Sequence, residues 1–153
     1  MVKNVFKKLG KKQKNNKGFS LVELIVVIAI MAVLVGVLAP QLIKYVEKSR
    51  EATDIQTCDN IATALKTYYA DEEASATDAK VTVTLSKTEQ GTKADTAVKD
   101  AGLTKAKIKG TKWTGDTIKI EYNKADGTIT YTGDSPYYHS DNDQFKKGPK
   151  SGK

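Results

Sequence analysis

At 153 residues, 39% hydrophobic and 28% charged, the chain has room for one small domain and an extra segment, not for two enzymatic lobes. The net charge of +7 invites nucleic acid or anionic lipid, but the seven lysines of residues 1–18, with no acid among them, account for all of it. The rest of the chain is neutral and has no bulk electrostatic claim on DNA.

The basic stretch ends at Gly18, and an apolar run follows from Phe19 to Ala39, interrupted only by Ser20, Glu23 and Gly36. As one helix this run is about 31 Å long, enough to cross a bilayer core. The leader lysines outnumber Lys44, Lys48 and Arg50 beyond the run, so the N-terminus stays cytoplasmic and the C-terminal part crosses. Glu23 is the anomaly. A carboxylate in a spanning segment costs about 2.5–3.5 kcal/mol on insertion scales, so it needs a partner or a task. Gly36 and Pro40 close the run, and the missing N–H of the proline predicts a kink or a loosened turn between them.

After Pro40 the pattern becomes amphipathic. Tyr45 and Val46 open an apolar stripe that continues through Ile55, Cys58, Ile61, Ala62, Leu65, Tyr68 and Tyr69. Lys44, Glu47, Lys48, Arg50, Glu51, Asp54, Asp59 and Lys66 are expected on the opposite, solvated face. The helix is expected to run from about Ser20 to about Glu72, with a loop over Ser75–Asp78. Cys58, at helical spacing with Ile55, Ile61 and Leu65, reads as a small buried hydrophobe, and being alone it forms no intramolecular disulfide.

Val81 to Leu85 alternates as a strand, and Asp95 to Ala101 reads as a short helix ended by Gly102. Lys105 to Ile108 is a candidate strand. Thr117–Tyr122 and Thr128–Thr132, joined by Asn123 to Gly127, form a hairpin with Ile118, Ile120, Tyr122, Ile129 and Tyr131 as its inward candidates. An antiparallel sheet of three or four strands laid on the amphipathic half-helix makes an α+β fold. The segment 136–153 is expected to be a loop and mobile tail.

Lys17-Gly18-Phe19-Ser20-Leu21-Val22-Glu23-Leu24, with the apolar helix and Pro40 behind it, resembles the class III-type signal of the type IV pilin-like proteins. These are the pilins of type IV pili and the pseudopilins of type II secretion. The resemblance covers the first third of the chain closely and the remainder in general layout, and it implies the type IV pilin fold. It implies a leader over 1–18, a membrane and assembly half-helix over 19–40, an amphipathic half over 41–73, a sheet domain over 74–135 and a C-terminal segment over 136–153. By the same resemblance a membrane peptidase cuts between Gly18 and Phe19 and methylates the new amine of Phe19. A residue without Cβ lets the extended backbone approach the peptidase's carboxylates. The glutamate matching Glu23 neutralises the N-terminal amine of a neighbouring subunit. The implied partners are further copies and other pilins, the prepilin peptidase, the membrane, and an inner-membrane assembly platform with its cytoplasmic ATPase. The implied location is the cell membrane as a single-pass protein, then a surface filament.

No catalytic constellation competes with this reading. The sequence has one histidine, His139, and lacks a nucleophile elbow, a P-loop, an HExxH motif and a zinc-type cluster. Asp134, Asp141 and Asp143 could offer oxygens to Ca²⁺, but Asp-x-Asp is common in solvated loops, and no cofactor is expected. Two rivals differ in kind. A pseudopilin of a secretion or competence system shares the signal, whereas a single-pass monomeric binding module would tolerate replacement of Gly18 and Glu23.

Overall fold

A computed structural model describes residues 18–70, 80–88 and 96–150. The chain divides into two compact units, Met1–Pro40 and Gln41–Lys153. Helix α1, Leu21–Ala70, contributes to both.

In the first unit every helical residue is exposed, Leu21 at 74% and Leu38 at 57% among them. An 18-residue window of α1 has mean hydropathy 3.1 and no buried residue. Valine and isoleucine are only moderate helix formers in water, but in hydrocarbon the helix satisfies its backbone groups within one segment. The helix continues through Gly36 and Pro40 without a break. Pro40 lacks the N–H that would complete the ladder there.

In the second unit α1 buries Glu47, Glu51, Asp54, Cys58, Ile61, Ala62 and Leu65. These lie three and four residues apart, on one face. Tyr45 and Val46 are exposed, at 68% and 42%, so the buried stripe begins later than the apolar pattern predicts, and it begins with acids. Strands β1 (Lys80–Ser86), β2 (Thr117–Asn123) and β3 (Ile129–Thr132) form an antiparallel sheet in that order. Its register sets Leu85 against Ile118, Val83 against Ile120, Ile120 against Tyr131 and Tyr122 against Ile129. One face of the pleat is thereby apolar, and all five residues expected inward on the hairpin are buried. They share a core with Cys58, Ile61, Ala62 and Leu65. Fully burying one such isoleucine or leucine stabilises the fold by about 1.5–3 kcal/mol.

The β2–β3 turn closes through Gly127, at φ 70°, whose N–H donates to the Asn123 carbonyl at 2.8 Å. Asp126 accepts from Thr128 N–H at 3.0 Å. Helix α2, Thr96–Asp100, adds buried Ala97 and Val98 and ends at Gly102, also at φ 70°. Asp95 of the expected helix and the expected loop over Ser75–Asp78 lie outside the described residues.

Two further expectations are corrected. Lys105 to Ile108 is not a strand: Ile108 is buried and its N–H donates to the Ser86 carbonyl at 3.0 Å, but the segment carries no ladder. The C-terminal segment, expected as a loop, holds a second hairpin, β4 (Tyr138–Asp141) with β5 (Gln144–Lys147). Its two-residue turn has Asn142 at φ 53°, a conformation asparagine tolerates. Tyr131 N–H to the Asn142 carbonyl (2.7 Å) and Ser140 N–H to the Gly133 carbonyl (2.9 Å) tie this hairpin to β3. Phe145 packs its ring 5.6 Å from that of Trp113 and 5.1 Å from that of Tyr131.

Candidate functional site

The residues singled out at the head of the chain lie together where α1 begins. Gly18 and Phe19 precede the helix, and Phe19 is 90% exposed. Ser20 caps the helix: its carbonyl accepts Leu24 N–H at 3.2 Å and its hydroxyl accepts Val22 N–H at 3.3 Å. Glu23 reaches back, one carboxylate oxygen accepting Ser20 N–H at 2.8 Å. Ser20-Leu21-Val22-Glu23 is thus a capping box, which satisfies donors the first turn would leave open and places an anion at the positive end of the helix dipole. The serine three residues before the glutamate is the sequence signal for this cap. A carboxylate has about four lone-pair sites, so the cap leaves it able to accept a cation. A Cβ on Gly18 would meet nothing within 4 Å, and the same holds at Gly36. No packing within the described residues requires glycine at either position. Gly36 and Pro40 lie further along α1, beyond reach of the capping box.

The second unit holds a polar cluster that the sequence reading misplaced. Glu47, Glu51 and Asp54, expected in solvent, are 7%, 0% and 1% exposed. Asp54 accepts three hydrogen bonds, from Lys109 N–H (2.8 Å), Gly110 N–H (2.7 Å) and Trp113 Nε1–H (2.9 Å). Glu47 accepts from Thr111 N–H and pairs at 3.8 Å with Arg50. Glu51 accepts from the Ser135 hydroxyl at 2.5 Å, while its other oxygen has no partner among the described residues. Burial pushes the Glu51 carboxyl above the ordinary carboxylate range, against the lowering effect of Ser135, and Glu47 and Asp54 add to the rise. The three acids therefore clamp loop 109–113 and the turn at Ser135 onto the helix face. Their spacing, which continues into Cys58, Ile61 and Leu65, was the available clue. Charge alone had assigned them to solvent.

The remaining polar candidates are engaged locally. Asp141 pairs with Lys146, which holds its carboxyl below the usual range, and Asp134 lies 4.0 Å from Lys150. His139 Nδ1 is 2.8 Å from the Gly148 carbonyl, within β4 rather than in a solvated loop. Among the described residues no group of three or more histidines, cysteines and acids is placed to hold a metal ion. Trp113 is a core residue, 3% exposed.

Comparison with known families matches residues 13–39 to the prokaryotic N-terminal methylation motif. Comparisons with curated proteins and with solved structures gave no match. The motif and the exposed apolar helix fit a membrane-anchored structural protein. With a class III prepilin signal at the head of that helix, and small antiparallel sheets packed on its amphipathic half, the chain carries the N-terminal methylation motif on an α+β architecture consistent with the pilin fold.

Proposed function

We propose that the chain is a structural subunit of a type IV pilus, cut between Gly18 and Phe19, N-methylated at Phe19 and polymerised through its N-terminal helix. The methylation motif over residues 13–39 carries this reading. The geometry supports each step. Among the described residues nothing constrains Gly18, so a requirement for glycine there would come from outside them, as from a peptidase that must draw the backbone close. Phe19 is exposed and available to both cleavage and methylation. Once the leader is removed, Phe19 carries a free amine at the start of a membrane helix. In that low dielectric an unpaired charge is expensive and a paired one much less so. Glu23 supplies the matching anion to a neighbour's amine, and a new subunit fits where the two charges cancel.

On this reading residues 1–18 are released. Residues 19–40 anchor and polymerise, and the amphipathic half-helix with its sheets forms the outer head. The subunit starts as a single-pass membrane protein with its N-terminus cytoplasmic. It is then extracted into a surface filament by an assembly platform with its ATPase. The second reading, a pseudopilin, draws on the head: Cys58 is buried and free, so the C-terminal segment is closed by β4–β5 and by no disulfide.

Mass spectrometry of the mature protein tests the processing. The expected N-terminus is Phe19 with one added methyl group, and Gly18→Glu should leave the precursor uncut. A mature chain that retains residues 1–18 would overturn the assignment. Gold-labelled antibody against the head separates the two readings, since label along surface filaments marks a pilin and label confined to the envelope marks a pseudopilin.

A further inference from the structure

Lys48, Pro136, Tyr137, Tyr138, Lys147 and Gly148 line a cavity of about 250 Å³ in the second unit. Its charge is one-sided. Lys146 and Lys150, from the same C-terminal segment, face Asp141 and Asp134, whereas neither Lys48 nor Lys147 has an acid within ion-pair distance among the described residues. No acidic side chain lines the cavity. Two lysines without an acid partner thus line the cavity together with two tyrosines, with Lys48 Nζ 5.4 Å from the centre of the Tyr137 ring.

The walls are fixed from behind. Ser135 N–H donates to the Tyr138 carbonyl at 2.7 Å, and the Tyr137 and Tyr138 N–H groups donate to Ser135 Oγ at 3.1 and 3.0 Å. Ser135 Oγ–H in turn donates to the fully buried Glu51 carboxylate. The opposite wall is held by Gly148 N–H on the Tyr137 carbonyl at 2.7 Å. A buried carboxylate with one unsatisfied oxygen is costly, and here it anchors a turn whose half-buried tyrosines, Tyr137 and Tyr138, line the cavity. The cavity is therefore formed before any ligand arrives, which lowers the ordering cost of binding.

We propose that this cavity binds one acidic sugar unit, a pyranose ring bearing a carboxylate, such as a uronic acid residue of a polysaccharide. The two lysines select the anion, and the tyrosines with Pro136 offer flat apolar surface to the C–H face of the ring. The volume lies below the ~300–1,000 Å³ of drug-sized sites, which suits a single ring. An inorganic anion has no use for the aromatic walls.

The test is titration of the full chain in detergent micelles with tetragalacturonate, its neutral methyl ester, tetraglutamate and sulfate. Tetragalacturonate should bind at least about tenfold more tightly than the ester or tetraglutamate, with affinity falling as salt rises. Lys48→Gln and Lys147→Gln, both at exposed positions that do not threaten folding, should each weaken it by about tenfold, and Lys119→Gln on β2 should leave it unchanged. Equal affinity for acid and ester, or no effect of either lysine variant, would overturn the proposal. Tetraglutamate binding as tightly as the sugar would make this an acidic-peptide site instead, and sulfate competing as well as the sugar would reduce it to a bare anion site.

Discussion

Glu23 serves its own helix before it serves any neighbour, because its carboxylate closes the capping box on Ser20 N–H. The two roles separate by chemistry. Glutamine keeps an acceptor for the cap and removes the charge, whereas alanine removes both. If charge matching drives assembly, Glu23→Gln should form filaments as poorly as Glu23→Ala, counted by electron microscopy. Filaments restored by glutamine would leave the carboxylate a helix cap only. Glu51 makes a second residue-scale prediction. Its pKa is raised in the folded chain, so the folded state holds the proton more tightly than the unfolded one. The stability it contributes is fully present below its ordinary value of 4.5 and is lost as pH rises through the raised value. Glu51→Gln should therefore gain on the parent chain in urea midpoint as pH rises from about 4.5 to 7. A difference that is flat with pH would mean that Glu51 titrates as an ordinary surface acid.

At the scale of elements, loop 109–113 depends on a close approach to α1. A Cβ on Gly110 would come within 2.7 Å of Glu51 Cγ and 2.9 Å of both Asp54 Oδ2 and Trp113 Nε1. Gly110→Ala should therefore cost about 1–3 kcal/mol, seen as a Tm lower by roughly 5–15 °C in the head. An unchanged Tm would mean that the loop moves away freely. The elements differ in how plainly the sequence announced them. The β2–β3 hairpin was legible to within one residue at each strand end, since Ile118, Ile120 and Tyr122 alternate with polar neighbours and Gly127 marks the turn. β4–β5 was not, because Tyr138-His139-Ser140-Asp141 and Gln144-Phe145-Lys146-Lys147 lack apolar alternation, and the pairing depends on Phe145 and on bonds to β3. The acids of α1 were hidden for another reason. A charge is placed in solvent by default, and only the folded loop shows that backbone N–H groups replace the lost water. The N-terminal motif is legible in the sequence, and its cap is carried by the Ser20–Glu23 spacing.

For the whole molecule, the decisive fact is that among the described residues the hydrophobic core lies within Gln41–Lys153, while the apolar residues of α1 in the first unit are exposed. A chain beginning at Gln41 should fold and remain monomeric without detergent, as judged by circular dichroism and gel filtration. The full chain should need a micelle or a filament to cover its helix. Aggregation of the truncated chain would show that its stability depends on the missing segment. The same partition gives the buried cysteine a practical value. Cys58 is fully buried, and burial pushes its thiol well above the ordinary range, so it offers almost no thiolate to an electrophile. The native chain should therefore react little with maleimide dyes. A single cysteine introduced on the outer sheet face, at Thr130 for example, becomes the only reactive handle, and the head can be labelled there without first removing Cys58.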